Sequence, residues 1–534
     1  MKFFIIISLF VCSVYGFVEF KPSCCNNHIS LIISQDLPLK NHHKVEQFYK
    51  NRDIKLAWDK KDLNDFLKST RDGALNYLFL DYHQDEIETL MSTMDYENIA
   101  DQKFIRSRID ILATDGFFSY AKDLSVGFID KDKFQELLKE SEIPLVWEKK
   151  SKIYYYSADL KLALKSNLLK VLLHQYLPIA DEYKLLVQEY HRYSKMKLPK
   201  IDYGKLMRVG DYGYRATQLK TYLYESDDLK DVDKRYMEFP TFDKKLSLAL
   251  KSFQKRHYIK ATGELDRVSV LYLNKSAKQT SELIKLNIER HKLLPRIYDR
   301  EYILINIPEF SLKYFKDKAL VDDIFIVVGR EDRPTPIFSD KLEYIVLNPS
   351  WIVPQSLVRR DYLPGLLKDP NYLQEEQIHI HTKPSRYSKE IDPLNVDWEK
   401  YIDEDRRIPN YFMQYPGEHN ALGKMKFIFP NKYNVYLHDT NSKSLTTLKY
   451  RLYSSGCIRL AKPYELLHIL SQYTSYSSDK LTELVSGEKT INVPLKKHIP
   501  IHIRYHTVFI DKDSKLSFRK DFYGIDALQL ESMR

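Results

Sequence analysis

The spacing of hydrophobic residues changes along the chain, and this change constrains the fold more than any other feature of the sequence. Over residues 40–200, Leu, Ile and Phe recur three and four positions apart, as in the segments 61–68 and 160–173. This period predicts amphipathic helices. From Tyr302 the apolar residues instead form short β-branched runs between turn residues, which predict strands. The chain is therefore predicted to be a multi-domain α+β protein with a helical N-terminal domain over residues 40–200 and a mostly β C-terminal part.

Composition excludes several classes of protein. The 534 residues suggest three or four domains, since domains usually have about 100–200 residues. Hydrophobic residues make up 43% and charged residues 29% of the chain, which argues against wholesale disorder and against a multi-span membrane protein. Four cysteines are too few for a disulfide framework. The net charge of +10 is spread along the chain without a basic stripe, so no nucleic-acid partner is expected.

The N-terminus has the pattern of a secretory signal peptide. Lys2 precedes an apolar stretch from Phe3 to Val14, and a cut after Gly16 would follow small or modest residues. Residues 1–16 are therefore predicted to direct export. An uncleaved membrane anchor remains an alternative, because the apolar stretch is nearly long enough to continue as a membrane helix.

Two adjacent cysteines follow this segment. Cys24 and Cys25 would remain in a chain cut after residue 16. A bond between neighbouring cysteines is strained, so they either pair outward or have no role near a frayed terminus. The sequence does not decide between these alternatives.

Residues 205–275 read as a small helical module. A Gly-Asp-Tyr-Gly turn begins it, and Asp243 is placed to cap a helix. The apolar face of that helix consists of Leu246, Ala249, Leu250 and Phe253. A turn at 261–264 precedes a short last helix. Periodicity alone predicts only a helical bundle, but the order of these landmarks resembles the three-helix peptidoglycan-binding module, so a peptidoglycan-binding-like domain is predicted here.

A long polar stretch interrupts the predicted strands. Residues 352–420 are rich in Pro, Asp, Glu, Tyr and Arg, and strands resume after them with KFIFP and NVYLHD. An insertion of this length is more often functional than a structureless loop. We therefore expect a lid in this region.

Cys457 and His438 are the candidates for chemistry. Cys457 is the only cysteine beyond the first 25 residues and follows a Ser-Ser-Gly turn, while His438 ends a predicted strand. A thiol becomes a useful nucleophile when a base lies beside it. Consecutive backbone N–H groups around Ser455, Gly456 and Cys457 are expected to face an oxyanion. From the residues alone, a buried unreactive cysteine and an ordinary histidine remain alternatives.

These segments resemble a known family. HDT at 438–440 followed by SSGCIR at 454–459 resembles the signature of the L,D-transpeptidases of the YkuD type. Ser455 and Arg459 stand where the general pattern has His and Asn, a variant similar to the large periplasmic YcbB-like subgroup. Further landmarks occur in the order of that subgroup, namely FYKNRDIKLAW, NIERHKLLP, VVGREDRPTP and PGEHNALGKMKF. The resemblance implies a catalytic domain at 300–510, with 352–420 as its capping insertion and 511–534 as a C-terminal extension.

The resemblance also implies a mechanism. Cys457 would attack the carbonyl of the third residue of a peptidoglycan tetrapeptide stem, releasing the terminal D-Ala and leaving a thioester. An amine of a second stem would then attack the thioester and form a 3→3 cross-link. His438 would carry the protons, with its other ring nitrogen on a backbone carbonyl. Two alternatives remain. The same fold could attach a lipoprotein or D-amino acids to peptidoglycan, or the chain could be a non-catalytic peptidoglycan-binding scaffold.

Three further residues are assigned to the site. Tyr436 precedes His438 by two positions on one strand, so it faces the same side and is a candidate for the substrate groove, with ordinary sheet packing as the alternative. For Arg459 the alternatives are to hold a substrate carboxylate, to hold the turn itself, or to form a structural ion pair, and we favour the ion pair. Ser455 is expected to support the oxyanion site through its backbone.

No cofactor and no metal are expected. His379 and His381 form a His-Ile-His pair without a nearby third ligand, and are interpreted as exposed alternation on a strand. A papain-like peptidase is disfavoured because such enzymes place Cys before His in the chain. Attachment to the inner membrane and association with other cell-wall enzymes remain open.

Overall fold

The computed structural model describes residues 28–34, 37–75, 77–94, 96–148, 154–369, 371–403 and 406–533. The predicted signal peptide, Cys24 and Cys25 lie outside the described residues. Of the helices within these ranges, none is long and apolar enough to cross a membrane.

The chain forms two compact units. The described parts of residues 1–127 and 153–177 make the first unit, and those of 128–152 and 178–534 make the second. The helical stretch predicted at 40–200 is therefore shared between them, while 205–275 and 300–510 both fall in the second unit. Helices dominate up to residue 292 and strands dominate after it, which confirms the predicted α+β class.

Amphipathic sequences form the helices as predicted. In chain order they are α1 (His28–Ser34), α2 (His42–Lys50), α3 (Lys60–Arg71), α4 (Gln84–Met94), α5 (Ile99–Ser125), α6 (Lys131–Glu140), α7 (Tyr156–Ser166), α8 (Leu169–Tyr176), α9 (Asp181–Lys195), α10 (Tyr214–Glu225), α11 (Lys234–Glu238), α12 (Lys244–Arg256), α13 (Arg267–Leu273) and α14 (Ala277–Lys292). In the first unit, the buried carboxylate of Asp110 on α5 accepts hydrogen bonds from the Tyr49 hydroxyl and the Trp58 backbone N–H, at 2.6 and 2.9 Å. These bonds fix α2 and the segment before α3 against α5.

The module at 205–275 has the predicted local structure. Asp243 caps α12 by accepting a hydrogen bond from the Leu246 N–H at 2.8 Å, and the four predicted apolar residues are buried. The short helix α11 lies in the loop between α10 and α12. Gly263 in the last turn has φ +74°, and a Cβ there would meet Ser247 Oγ at 2.5 Å, so the turn requires glycine. Peptidoglycan binding by this module remains a prediction.

A nine-stranded sheet forms the core of the C-terminal part. Its strands are β1 (Glu301–Asn306), β2 (Ser311–Lys316), β3 (Ala319–Gly329), β4 (Ser339–Leu347), β8 (Met425–Ile428), β9 (Leu437–His438), β10 (Leu452–Ser454), β11 (Ile458–Leu460) and β12 (Ile491–Arg504). The three strands that come between β4 and β8 in the chain lie in the insertion. The strand order is β10-β3-β11-β9-β8-β4-β12-β1-β2. Since β2 also pairs with β3, the sheet curls back on itself.

The insertion has a core of its own. It contains the three-stranded sheet β5-β7-β6, formed by β5 (Trp351–Ile352), β6 (His379–His381) and β7 (Tyr411–Gln414), with short helices at Gln355–Leu357, Leu363–Leu366 and Tyr372–Glu375. Its buried residues include Val358, Trp398 and Phe412. The interpretation of His381 as exposed was wrong, because its ring is buried and hydrogen-bonds the Tyr415 hydroxyl.

The chain end packs into the second unit. After the helices Pro463–Ser471 and Ser478–Val485, the hairpin Val508–Ile510 and Leu516–Phe518 precedes a final helix, Ile525–Glu531. Arg290 on α14 is fully buried and donates to Asp526 Oδ1 at 2.7 Å and to Gln529 Oε1 at 2.7 Å. This buried ion pair ties the predicted C-terminal extension to the helix that precedes the sheet.

Asp526→Ala is expected to destabilise the protein by about 3–5 kcal/mol, because it leaves the Arg290 guanidinium buried without its carboxylate. The free energy of unfolding in urea measures this change. Asp317→Ala is the matched control, because the Asp317–Arg300 pair is exposed and its loss should cost less than about 1 kcal/mol. Equal effects of the two variants would contradict the proposed importance of the buried pair.

Candidate active site

The pairing of β9 with β11 brings the candidate residues together. The two strands are parallel, with Ile458 opposite Leu437 and Arg459 opposite His438. The Ile458 N–H donates to the Tyr436 carbonyl at 3.1 Å. Chain segments far apart in the sequence thus become adjacent.

Side chains alternate along these strands, so core residues lie on one face of the sheet and the candidate site residues lie on the other. Ile458, Leu437 and Phe427 are buried in the core, on one face of the sheet. Arg459 and His438 are one residue further along their strands and therefore occupy the other face. Cys457 and Tyr436 belong to this second face by the same period. Lys426 on β8 pairs with His438 and joins them. We call the face that carries Tyr436, His438, Cys457, Arg459 and Lys426 the site face.

The turn before Cys457 requires glycine. Gly456 has φ +110°, a conformation that L-residues rarely adopt. The Gly456 N–H donates to Ser454 Oγ at 3.2 Å, and that hydroxyl donates to the Cys457 carbonyl. A neighbouring side chain thus already accepts the Gly456 hydrogen, so the expectation that this N–H binds an oxyanion stays a prediction that requires this bond to open.

Thr335 holds the same turn in place through two hydrogen bonds. Its buried hydroxyl donates to the Gly456 carbonyl at 2.9 Å and accepts from the Gly329 N–H at 2.8 Å. The Tyr523 hydroxyl bonds the Gly329 carbonyl at 2.8 Å and accepts from the Thr335 N–H at 3.1 Å. The position of the Cys457 turn is therefore fixed by the end of β3 and by the C-terminal segment.

Cys457 and His438 are both uncharged near neutral pH. Burial raises the pKa of the half-buried Cys457 thiol, although the Tyr436 backbone and the Lys426 charge oppose the rise. The thiol donates weakly to the Asn434 carbonyl, with sulfur and oxygen 3.8 Å apart. Burial and the Arg459 charge lower the pKa of His438 to about 3. The imidazole can therefore accept a proton without first losing one.

The orientation of His438 differs from expectation in one respect. Its buried Nδ1 has no hydrogen-bond partner, so the predicted bond to a backbone carbonyl is not formed with normal geometry. The Asp439 backbone is close enough to raise the pKa of the ring. The Asp439 carboxylate is turned away and accepts from the backbone N–H groups of Lys424 and Thr440, at 2.9 and 2.7 Å. Cys457, His438 and Asp439 therefore do not form a Cys–His–Asp triad.

Tyr436 faces the same side as His438. Their ring centroids are 5.6 Å apart. Burial and the nearby Cys457 raise the pKa of the Tyr436 phenol, and the nearby Trp351 side chain opposes this rise. Tyr436 thus lies near both the thiol and the first strand of the insertion.

The interpretation of Arg459 as part of a structural ion pair was wrong. Among the described residues, no carboxylate forms an ion pair with it, and its buried Nε has no acceptor. Sequence reasoning also missed Lys426, which belongs to the site face and places Nζ 4.6 Å from the centroid of the Tyr436 ring. The alternation of Met425, Lys426 and Phe427, with both flanking residues buried, was the signal that could have identified it.

Arg333 joins the insertion to the nucleophile turn. Its guanidinium donates to both carboxylate oxygens of Asp361, at 2.7 and 2.8 Å, and to Ser455 Oγ at 3.0 Å. Asp361 lies in the π-helix Val358–Tyr362 of the insertion. The side chain of Ser455 is therefore engaged, a contact that sequence reasoning did not foresee.

One further polar cluster lies apart from the site face. Glu182, His291 and His506 place potential ligand atoms within 4.8 Å of one another. Arg504 donates to Glu182 at 2.8 Å and lowers the pKa of this carboxyl to about 2, although burial opposes the change. Burial lowers the pKa of His291 to about 4. The one carboxylate of the cluster is thus already neutralised by arginine, which makes the cluster a poor cation site.

A neutral thiol beside a neutral imidazole predicts the pH profile of Cys457 alkylation. Because the thiol pKa is raised and the His438 pKa is lowered, the thiolate fraction should rise about tenfold per pH unit between pH 5 and 8. Iodoacetamide labelling of the Cys457 peptide, followed by mass spectrometry, measures this rate separately from the other cysteines. A thiolate–imidazolium pair would instead give a flat profile over this range and would contradict the prediction.

Thr335→Val is expected to destabilise the protein by about 2–4 kcal/mol. The change preserves the shape of the side chain but leaves the buried Gly329 N–H and Gly456 carbonyl without partners. Urea unfolding measures the loss. Thr447→Val is the control, because the exposed Thr447 hydroxyl bonds only Ser444 nearby, and it should change stability by less than about 0.5 kcal/mol. A loss below 0.5 kcal/mol for Thr335→Val would show that the two hydrogen bonds of the Thr335 hydroxyl contribute little to stability.

Comparisons with known proteins match the region that contains this site. The family model YkuD, described as the L,D-transpeptidase catalytic domain, matches residues 300–481. A model described as the Scaffold domain matches residues 43–189. A curated protein of Haemophilus influenzae named "Putative L,D-transpeptidase" is 31% identical over 246 residues, which are 46% of this chain and 48% of that protein. The match thus spans about half the length of this curated relative.

Solved structures resemble the chain only weakly. An L,D-transpeptidase from Stackebrandtia nassauensis has 13% identity and a TM-score of 0.20, covering 57% of this chain and 97% of that chain. One from Mycobacterium smegmatis has 12% identity and a TM-score of 0.18, covering 38% and 58%. TM-scores this low do not establish a shared fold, so the family match and the curated relative are the informative comparisons. Over residues 300–481 the chain is therefore similar to the L,D-transpeptidase catalytic domain of the YkuD family.

Proposed function

We propose that the chain forms 3→3 cross-links in peptidoglycan by a two-step acyl transfer on Cys457. The observation that best supports this proposal is the site face, where the pairing of β9 with β11 puts a thiol and a neutral imidazole on the same side of the sheet. The Haemophilus influenzae relative is named as an L,D-transpeptidase, and that name comes to this chain only as part of the proposal.

The first step makes the thioester. Cys457 Sγ attacks the carbonyl carbon of the third stem residue, and His438 accepts the thiol proton. The tetrahedral oxyanion collapses, the bond to the fourth residue breaks, and the same proton goes from His438 to the departing amine of D-Ala. The Lys426 and Arg459 charges beside the thiol favour the transient thiolate and oxyanion.

The second step makes the cross-link. The amine of a second stem attacks the thioester carbonyl, His438 receives its proton, and that proton returns to sulfur as the carbon–sulfur bond breaks. The products are one new amide and the free Cys457 thiol. Water must be kept from the thioester, and the insertion at 352–420 is proposed as the cap that does so.

Ser455, Gly456 and Tyr436 are proposed to shape the site. Gly456 allows the sharp turn that presents the thiol, and Ser455 is held by Arg333 at the edge of this turn. Tyr436 is proposed to line the groove for the donor stem. An oxyanion would have to be bound by backbone N–H groups other than that of Gly456, or by that group after its bond to Ser454 opens.

The remaining parts are proposed to bring the enzyme to its substrate. Residues 205–275 would bind peptidoglycan, and residues 1–16 would direct export to the periplasm, with or without retention in the inner membrane. The proposed substrates are tetrapeptide stems as both donor and acceptor, and other cell-wall enzymes are proposed partners.

Cys457→Ala is expected to abolish cross-linking, with a loss of at least about a thousandfold, because no other group can form the acyl-enzyme. Purified sacculi are incubated with each protein, digested to muropeptides and analysed by mass spectrometry. Wild type should yield 3→3 dimers and release D-Ala. An unchanged melting temperature controls for folding of the variant.

Other products would identify other functions. Exchange of terminal D-Ala for added D-amino acids without dimers would favour the D-amino-acid alternative, and attachment of a lipoprotein would favour the lipoprotein alternative. An equally active Cys457→Ala variant would refute the mechanism. Wild type that binds sacculi without any reaction would favour the non-catalytic scaffold.

A further inference from the structure

Two cations flank the central strand of the site face. Lys426 lies on β8 and Arg459 on β11, and both are paired in register with His438 on β9. Paired residues on adjacent strands point to the same face, so both side chains share the face of the thiol. Lys426 places Nζ 4.6 Å from the centroid of the Tyr436 ring, which belongs to the same face.

Neither cation has an anionic partner within the described ranges. No ion pair is formed by Lys426 or Arg459, and the nearby Asp439 carboxylate is engaged by Lys443 and by backbone N–H groups. Burial lowers the pKa of both cations, and the nearby Arg330 lowers that of Arg459 further. Only an anionic Cys457 opposes these shifts, and its thiol is neutral at rest.

Desolvated positive charge without a counter-ion is unfavourable and can be offset by an incoming anion. A lysine over an aromatic ring and an arginine with a buried, unpartnered Nε are donors that suit a carboxylate. The structure therefore points to an anionic group of the substrate as the missing partner.

The proposed donor supplies such a group at a suitable place. A tetrapeptide stem ends in the free carboxylate of its fourth residue, which lies three covalent bonds from the carbonyl that Cys457 attacks. A stem with a fifth residue would carry its carboxylate about 3.5 Å further along the chain. A cationic pocket beside the thiol can therefore distinguish the two lengths.

We propose that Lys426 and Arg459 form a subsite that binds the terminal carboxylate of the donor stem and thereby selects tetrapeptides. This inference rests on the proposed function. In this proposal Lys426 takes part in substrate recognition. Arg459 binds a substrate carboxylate and does not form a structural ion pair.

Binding to a chain that cannot react tests the subsite. The full chain with Cys457→Ala is titrated calorimetrically with a tetrapeptide stem that ends in a free acid and with the same peptide as its C-terminal amide. The acid should bind at least about tenfold more tightly, since a lost charge-assisted hydrogen bond commonly costs that much. Adding Lys426→Met should reduce this acid-to-amide ratio below about threefold, whereas adding Lys426→Arg should preserve it.

Lys432→Met is the matched control. Lys432 also lies over a tyrosine ring, with Nζ 5.1 Å from the Tyr433 centroid, but it is exposed and pairs with Glu148. Added to the Cys457→Ala chain, Lys432→Met should leave the acid-to-amide ratio of binding affinities unchanged. Lys426→Met should not lower the melting temperature, because it removes a partly buried charge that has no carboxylate partner.

The outcomes separate the two proposals. Equal binding of acid and amide by the Cys457→Ala chain, or a ratio that survives Lys426→Met, would overturn the subsite and leave the proposed function standing. Weaker binding of both peptides by Lys426→Met with an unchanged ratio would also overturn it, because the lysine would then act on something other than the carboxylate. Failure to bind either peptide would overturn both proposals.

Discussion

The parallel pairing of β9 with β11 is the constraint on which the site depends. Each strand is very short, yet the register that puts Arg459 opposite His438 also puts Ile458 opposite Leu437 in the core. Side chains alternate with a period of two, so a slip of one residue would send hydrophobic residues to solvent and the thiol into the core. The packing of a few apolar side chains thereby fixes which face carries Cys457, and Gly456 and Thr335 then fix the turn that presents it.

The same arrangement makes the site electrostatically unusual. His438 and Cys457 are neutral at rest, while Lys426 and Arg459 bring positive charge to the same face without carboxylate partners among the described residues. Elsewhere in the second unit, some buried cations are paired with carboxylates, as Arg290 is with Asp526 and Arg504 with Glu182. The buried Lys220 and Arg451 instead donate to backbone carbonyls. Within the described ranges, Lys426 and Arg459 have neither kind of partner for their side chains. Protein sites that bind charged ligands commonly give up stability in this way, because the missing partner arrives with the ligand.

The sequence predicted the parts of this structure that local patterns specify. The helix cap at Asp243, the strands and the candidates Cys457 and His438 follow from residue types and spacing within short segments. The interpretation of Arg459 failed because an ion pair depends on which groups other strands bring nearby. Lys426 was missed for the same reason, since its neighbour His438 is known only once β8 is seen to pair with β9. The orphaned Nδ1 of His438 and the occupied N–H of Gly456 depend on details of angle and distance that spacing cannot specify.

Arg333 connects the geometry of the insertion to that of the nucleophile turn. A guanidinium is a rigid planar fork, and this one binds both oxygens of Asp361 while donating to Ser455 beside Cys457. A displacement of Asp361 must therefore either break both of these bonds or carry Arg333 away from Ser455. A lysine would not impose the same coupling, because its single ammonium could follow the carboxylate without a fixed direction. Under the proposed function, the cap that excludes water and the turn that carries the thiol would be adjusted together, since one side chain holds both.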